Sequence, residues 1–363
     1  MPSIIDPVYG EISFSLEEEA IIQSPLFQRL RWVSQLSGAQ SAFPNATHTR
    51  FSHSLGALHV AGQYCQQLTI EDHDRSAVRL AALLHDLAHG AFSHAFDATV
   101  YASIYGVPDK GHDIHRHLLI ESPLLKPLIE KCGVNVEEIH CIWDPKNVRD
   151  PKYRIYAALV QGPLGADRLD FIYRDAFMLK LNFLSRLRLA IDEVISNVVI
   201  ENGALHYRVE SIEAMLYVLE RRAEMYRNVY LSPNARRGEI LLHEILRSAC
   251  PCLSLTTRVR DPERFVYLND HTLIGEIMSS PHCSDTTKEL VKRYLRGDLP
   301  AVSEGGKQWQ TRTVVAIEPE RFDNEQIYLI SPLCISVKVS DMLQHMRYPL
   351  EKGFSFTDMY TIE

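Results

Sequence analysis

Residues 80–94 read LAALLHDLAHGAFSH. An apolar run meets His85-Asp86, and His89, Gly90 and His94 follow closely. An imidazole beside a carboxylate in such a run is expensive to bury without a strong partner. Ten of the sixteen histidines lie between His48 and His117, around this dipeptide. His53 stands upstream in TRFSHSLG (residues 49–56), and Asp167 downstream in GADRLDFIYRDA (residues 165–176). Imidazole nitrogen and carboxylate oxygen together suit a divalent metal. Any one of these residues alone would read as a satisfied buried hydrogen-bonding group. Jointly, His53, His85, Asp86 and Asp167 are candidate ligands of one divalent ion, with Mn, Fe, Ni, Zn and Mg all open. Neighbouring residues diverge by about 100° around a helix axis, so His85 and Asp86 can share an ion only at a helix end or kink.

The bulk properties narrow the classes. A chain of 363 residues with 46 % hydrophobic content can bury a large core. Its formal net charge of −8 argues against a protein that coats nucleic acid, and leaves room for a local basic pocket. Seven cysteines without periodic spacing read as reduced thiols of a cytosolic protein. Cys250-Pro251-Cys252 lacks the second pair that a zinc site would need. The opening MPSIIDPVYGEISFSLEEEA has no charged-then-apolar signal pattern. No apolar run approaches the roughly 18 residues of a membrane span. A cytoplasmic protein with no membrane partner is expected.

Periodicity predicts a mainly α fold. Residues 17–37 carry Ile21, Leu26, Leu30, Val33 and Leu36 near a helical period, and residues 51–69, 76–89 and 112–131 follow suit. Residues 195–209 break the pattern: two β-rich runs flank Asn202-Gly203, a strong hairpin signal. Helices are expected again over 211–231, 236–249 and 271–296, and short strands over 311–317 and 326–339. The expected organisation is a helical core over 1–250 with a small β-hairpin, and a mixed α/β appendage over 251–363 packed on it.

More ionisable groups crowd the centre than four ligands require. His89 lies four residues after His85, His94 follows Gly90, and His112 opens a later helix. These are the candidate catalytic histidines, with Asp113 placed to orient an imidazole. His59, His73, His115 and His117 read better as surface or helix-face residues. A metal beside spare imidazoles implies hydrolysis of a phosphate ester, with water activated on one side and a proton given to the leaving oxygen on the other. Arg50, on the same helix face as His53, joins Arg168 and Arg222 as candidate phosphate clamps, because guanidinium forks match phosphate oxygens. On a helix starting at Asp167, Arg168, Phe171 and Asp175 share its stripe, spanning about 100° of arc. Arg222, Tyr226 and Tyr230 form a second stripe, for which an Arg–aromatic core seam is an equal alternative.

Four blocks in order resemble one family: SPLFQRLRWVSQLSGAQSAFPNATHTRFSHSLG, LLHDLAHGAFSHAFD, GADRLDFIYRD and ERRAEMYRNVY. They are similar to the HD-domain deoxynucleoside triphosphate triphosphohydrolases, which include bacterial dGTPases and the animal enzyme joining a sterile alpha motif to an HD domain. The resemblance covers roughly residues 20–250. It implies an HD-domain helical core, and a divalent metal on His53, His85, Asp86 and Asp167. It implies that Arg50, Arg168 and Arg222 contact the triphosphate and that His94, among His89, His94 and His112, protonates the leaving 5′ oxygen. Gln35 and Asp175 would contact the sugar 3′-hydroxyl, and Tyr230 with Leu36 would wall off the 2′ position. Ala88, Phe171 and Leu231 depart from the family pattern, and Gln23 stands where nucleotide-activated relatives carry an aspartate, although Arg31 is retained.

The expected partners are deoxynucleoside triphosphates, with a nucleotide effector, single-stranded nucleic acid and a homo-oligomeric assembly as further candidates. Two other functions share the motifs. One is an HD-type phosphodiesterase, nuclease or nucleotidase, for which a basic track to the site is expected. The other is a silent nucleotide sensor, which would require a lost ligand.

Overall fold

The computed structural model describes residues 1–314, 322, 327–333, 335–346 and 354–361. Its centre is the Arg50–Gln67 helix, buried on most sides through Phe51, His53, Leu55, Ala57, Leu58, Ala61 and Tyr64. A helix apolar nearly all round belongs inside a bundle. The Asp72–Leu84 helix is amphipathic instead, with Asp72 and Asp74 in its first turn and Leu80 to Leu84 buried. It packs along the central helix, as does Ala166–Met178, which carries Asp167 in its first turn. A carboxylate is favoured there by the helix dipole.

Several expected helices are shorter than their periodicity. Residues 17–37 split into Leu16–Ile22, Pro25–Gln28 and a 3₁₀ turn Arg29–Trp32, and Val33 is extended. Ser24 caps the second piece through Phe27 N, and Pro25 disfavours helical backbone at Ser24. Residues 112–131 divide into Gly111–Ile120 and Lys126–Lys131 around Ser122-Pro123. Residues 211–231 become an α-helix, Ile212–Met225, followed by a π-helical turn, Tyr226–Tyr230. Residues 271–296 divide into Asp270–Ser279 and Asp285–Arg296.

The helix expected over 76–89 stops at Leu84. The carbonyls beyond it have other donors. Arg116 donates to the His85 carbonyl at 3.2 Å, and Arg29 donates to those of Leu87 and His89, both at 2.7 Å. His85 and Asp86 therefore leave the helix axis and can turn toward one point.

The hairpin expected over 195–209 is Val198–Glu201 paired with Ala204–Arg208, with Glu201 opposite Ala204. Asn202 and Gly203 both have positive φ (52° and 73°), as a two-residue type I′ turn requires. Strand Ala204–Arg208 also pairs in parallel with Ile327–Ile330, which pairs with Ser336–Lys338. Strand Ala301–Val314 pairs with Phe354–Thr361. Residues 315–317, 326 and 334, inside the expected strands, lie outside the described residues, and Val339 begins the Val339–His345 helix.

Residue 250 falls within the Pro233–Cys252 helix, and this helix packs on Asp285–Arg296. The expectation of reduced thiols is corrected at two positions: Cys252 and Cys283 form a disulfide, with Cα atoms 5.5 Å apart. His115 also departs from expectation. It is fully buried, with Nδ1 2.7 Å from the Tyr105 hydroxyl. Among the described residues, no helix is long and apolar enough to cross a membrane.

Candidate metal centre

Three elements bring the four candidate ligands together: the first turn of Arg50–Gln67, the residues after Leu84, and the first turn of Ala166–Met178. His53 Nε2 lies 3.2 Å from His85 Nε2, 3.5 Å from Asp86 Oδ2 and 3.3 Å from Asp167 Oδ1. His85 Nε2 lies 3.3 Å from Asp86 Oδ1 and 3.4 Å from Asp167 Oδ1. Metal–ligand bonds of about 2.1 Å place neighbouring donors roughly 3.0–3.4 Å apart in octahedral or tetrahedral geometry. The His53, His85 and Asp86 donors are spaced to hold a divalent ion, and Asp167 lies within 3.4 Å of both imidazoles.

The far side of each imidazole supports this fit. His53 Nδ1 faces Asp170 Oδ2 at 2.7 Å, and His85 Nδ1 faces the Ala82 carbonyl at 2.7 Å. Both acceptors favour the tautomer with hydrogen on Nδ1, which leaves the Nε2 lone pairs toward the centre. Burial would lower the pKa of His53, but Asp167, Asp170 and Asp86 raise it to about 10. Burial likewise works against ionised Asp86, yet Arg50, His85 and His89 hold its carboxyl well below the usual range. Crowded carboxylates that attract a proton this strongly will also attract a metal cation.

The second cluster is built on Asp97, which the sequence reading passed over. Its Oδ2 lies 2.8 Å from His112 Nδ1, 3.4 Å from His94 Nδ1 and 3.5 Å from His89 Nδ1. His112 N donates to Asp97 Oδ1 at 2.9 Å, and the His89 and His112 rings stack with centroids 3.8 Å apart. His89 Nε2 is 3.3 Å from Asp86 Oδ1, which joins this cluster to the metal donors. Asp97 opens a π-helical turn, Asp97–Tyr101. The expected orienting role of Asp113 is corrected: it lies 3.8 Å from His112 Nε2 and pairs with Arg116 at 3.1 Å. Burial, Arg50 and His112 push His89 well below the ordinary histidine value. Burial opposes a charged His112, but Asp97 raises its pKa above the ordinary value. His94 is the open member, with its side chain 59 % exposed.

The remaining candidates ring these clusters. Arg50 is buried; its Nη1 donates to Asp86 Oδ2 at 2.6 Å and its Nε to Ser93 Oγ at 3.0 Å. Arg168 Nη1 donates to the carbonyls of Gln161 and Gly162. Phe171 sets its ring 6.4 Å from that of His53 and 6.5 Å from that of Tyr230. Asp175 accepts from the Tyr230 hydroxyl at 2.5 Å and meets His48 Nε2 at 2.7 Å. The second stripe thus meets the first: Arg222 lies over Tyr226 at 5.3 Å, and Tyr226 stands edge-on to Tyr230 at 5.1 Å. Gln35 is buried, and its Oε1 has no hydrogen-bond partner among the described residues; Leu36 beside it is half-buried.

The family model described as "HD domain" matches residues 50–138, which carry His53, His85 and Asp86. The chain carries an HD-domain match over this segment. It is similar to human deoxynucleoside triphosphate triphosphohydrolase SAMHD1, 37 % identical over 152 residues, covering 39 % of this chain and 24 % of that protein. It is also similar to the Dictyostelium discoideum SAMHD1 homolog, 25 % identical over 311 residues, covering 82 % of this chain and 59 % of that protein. The chain therefore matches less than two thirds of either relative's length. A crystal structure of a hypothetical protein from Aquifex aeolicus shares the fold, with a TM-score of 0.79, 23 % identity, and coverage of 99 % and 96 % of the two chains.

Around the candidate site, the groups missed by the sequence reading are mostly carboxylates behind histidines. Asp97 follows His94 by three residues, a spacing that could have signalled it. Asp170 follows Asp167 by three, but points to His53 from 117 residues away. His48 pairs with Asp175 across 127 residues and carries no local signal.

Proposed function

We propose that this HD-domain chain hydrolyses deoxynucleoside triphosphates to deoxynucleoside and triphosphate, with a divalent metal on His53, His85, Asp86 and Asp167. One observation carries the reading. The Ala166–Met178 helix presents Asp167 to the metal donors and, two turns on, Asp175 to Tyr230 and His48. Candidate metal ligands and a polar–aromatic cluster thus share one helix face. The similarity to proteins named as deoxynucleoside triphosphate triphosphohydrolases supports the same substrate class.

Those four residues would hold a divalent ion, which would supply Lewis acidity toward the phosphate. The chain's own groups do the rest. Arg50, Arg168 and Arg222 offset the triphosphate charge. Water attacks the α-phosphorus, the P–O5′ bond breaks, and His94 gives its proton to the departing 5′ oxygen. Asp97 orients that imidazole, and His112 with His89 packs around it. Gln35 and Asp175 take the 3′-hydroxyl, while Phe171, Tyr226 and Tyr230 with Leu36 wall the sugar. A nucleotide effector, a homo-oligomer and single-stranded nucleic acid are further partners this family reading suggests.

The test is direct. The metal-loaded protein is incubated with each dNTP, each NTP and single-stranded DNA, and the phosphate product is identified. Triphosphate from dNTPs alone supports the proposal. Turnover of DNA or equal turnover of NTPs moves the function to a phosphodiesterase or general nucleotidase.

A further inference from the structure

His94 projects from a turn whose backbone is unusual. Phe92 has φ 62° and Ser93 has φ 52° with ψ −118°. Two consecutive residues with side chains in the left-handed region need surroundings that over-determine them. Those surroundings come from two distant segments. Ser37 Oγ donates to the Phe92 carbonyl at 3.0 Å, and Ser93 Oγ donates to the Ser34 carbonyl at 2.6 Å. The third hold comes from far downstream: the Phe92 amide donates to Asp270 Oδ1 at 2.7 Å. The same carboxylate accepts from Ser34 N at 3.0 Å and from Ser34 Oγ.

We propose that Asp270 is a positioning residue for His94: its carboxylate clamps the left-handed Phe92–Ser93 turn to Ser34 and so fixes where the His94 imidazole is aimed. The role given to His94 rests on the proposed triphosphohydrolase reading; the clamp itself does not. Asp270 is buried and has no salt bridge among the described residues. Burial raises its pKa, so a carboxylate here is unfavourable unless its hydrogen bonds matter. Arg29 reinforces the same junction, donating to Leu268 O at 2.9 Å while it holds the Leu87 and His89 carbonyls. Residues 268–270 therefore grip the loop between His85 and His94 at two points. Without Asp270 the Phe92 amide is a buried donor with no partner, and the turn relaxes toward right-handed backbone, carrying the next residue with it.

The experiment compares Asp270→Ala and Asp270→Asn in the full chain, each alone and combined with His94→Ala. A misplacement of about 1 Å lowers rate by about 100-fold, so Asp270→Ala should lower kcat on a dNTP by about that factor. KM and bound metal should stay within about two-fold of the unmutated protein. Asp270→Asn keeps an acceptor for the Phe92 amide but sets its NH2 against the Ser34 amide, so it should recover only part of the rate. In the His94→Ala background Asp270→Ala should lower kcat no further, because residues acting through one group are not additive. Hydrogen exchange at residues 92–94 should quicken at least ten-fold in Asp270→Ala while the helix Arg50–Gln67 keeps its protection. Additive losses, a fall in KM or metal content with kcat preserved, or unchanged exchange at 92–94 would each overturn the proposal. If Asp270→Ala does not fold, Asp270→Asn carries the same cycle, with a smaller non-additive loss expected. If the unmutated protein releases no triphosphate, the functional reading fails, and the exchange measurement still decides whether Asp270 clamps the turn.

Discussion

Gly56→Ala should destabilise this protein, against the usual rule for a glycine in mid-helix. Replacing such a glycine ordinarily stabilises by roughly 1 kcal/mol through helix propensity. Here an added methyl carbon would stand 2.5 Å from Asp170 Cγ and closer still to its Oδ1. Comfortable carbon–carbon contact begins at about 3.5 Å, so the carboxyl must retreat by about 1 Å. Asp170 cannot retreat freely. It holds His53 Nδ1 at 2.7 Å and Arg174 Nε at 2.9 Å, and Arg174 is pinned from its other side by Asp6 at 2.7 Å. Overpacking costs about 1–3 kcal/mol, and each charged buried hydrogen bond lost costs about 1.5–3 kcal/mol. After the helix-propensity gain, the net loss is about 2–5 kcal/mol, or a fall in Tm of about 3–7 °C for a chain of 363 residues. Because Asp170 orients a proposed ligand, metal affinity should fall by about 10–100-fold. Thermal unfolding of the metal-free and metal-loaded protein, with metal content by elemental analysis, measures both. A Tm at or above that of the unmutated protein, with unchanged metal content, would refute the reasoning.

Asp167→Ala should abolish turnover and lower bound metal, since it opens the proposed coordination shell; full metal content with normal rate in elemental analysis and kinetics contradicts the assignment. Deoxynucleotides should be preferred over ribonucleotides by about one to three orders of magnitude in kcat/KM, because a 2′-hydroxyl against Tyr230 would be buried unpaired. Tyr230→Ala should shrink that ratio in paired dATP and ATP assays. The His112–Asp97 pair makes a pH prediction: Asp97 is depressed by His112, His94 and His89 against the effect of burial, so its contribution holds above the unfolded carboxylate value of about 4 and is lost as pH falls toward its folded value. His112 is raised, so its contribution is full below about 6.5 and is lost as pH rises through its folded value. Asp97→Asn should therefore lower stability more at pH 6 than at pH 9 in denaturant titrations, and an equal loss at both would show that the pair is not charged.

The parts of this molecule that could be read along the chain are those set by local chemistry. Asn202-Gly203 names its turn because only residues tolerant of positive φ suit both positions. The apolar stripe of Leu80 to Leu84 announces a helix in the same way. Where that helix ends is a tertiary matter, because Arg29 and Arg116 reach the following carbonyls from other parts of the chain. The candidate ligands were legible as residue types in an apolar setting. Their supporting carboxylates were not: Asp170 and Asp270 act on partners 117 and 178 residues away. Asp113 looked like the partner of His112 from adjacency, but the helix directs it to Arg116 one turn on, and Asp97 takes its place. The Cys252–Cys283 pair joins sulfurs 31 residues apart, and no spacing rule singles it out among seven cysteines.

Hydrolysis of a dNTP by the metal-loaded protein in ¹⁸O-water tests the central claim most directly. Attack at the α-phosphorus with the 5′ oxygen leaving predicts one ¹⁸O in released triphosphate and none in the deoxynucleoside, read by mass spectrometry. Label in a deoxynucleoside monophosphate or in pyrophosphate would place the cleavage at another bond and contradict both the proposed activity and the role given to His94.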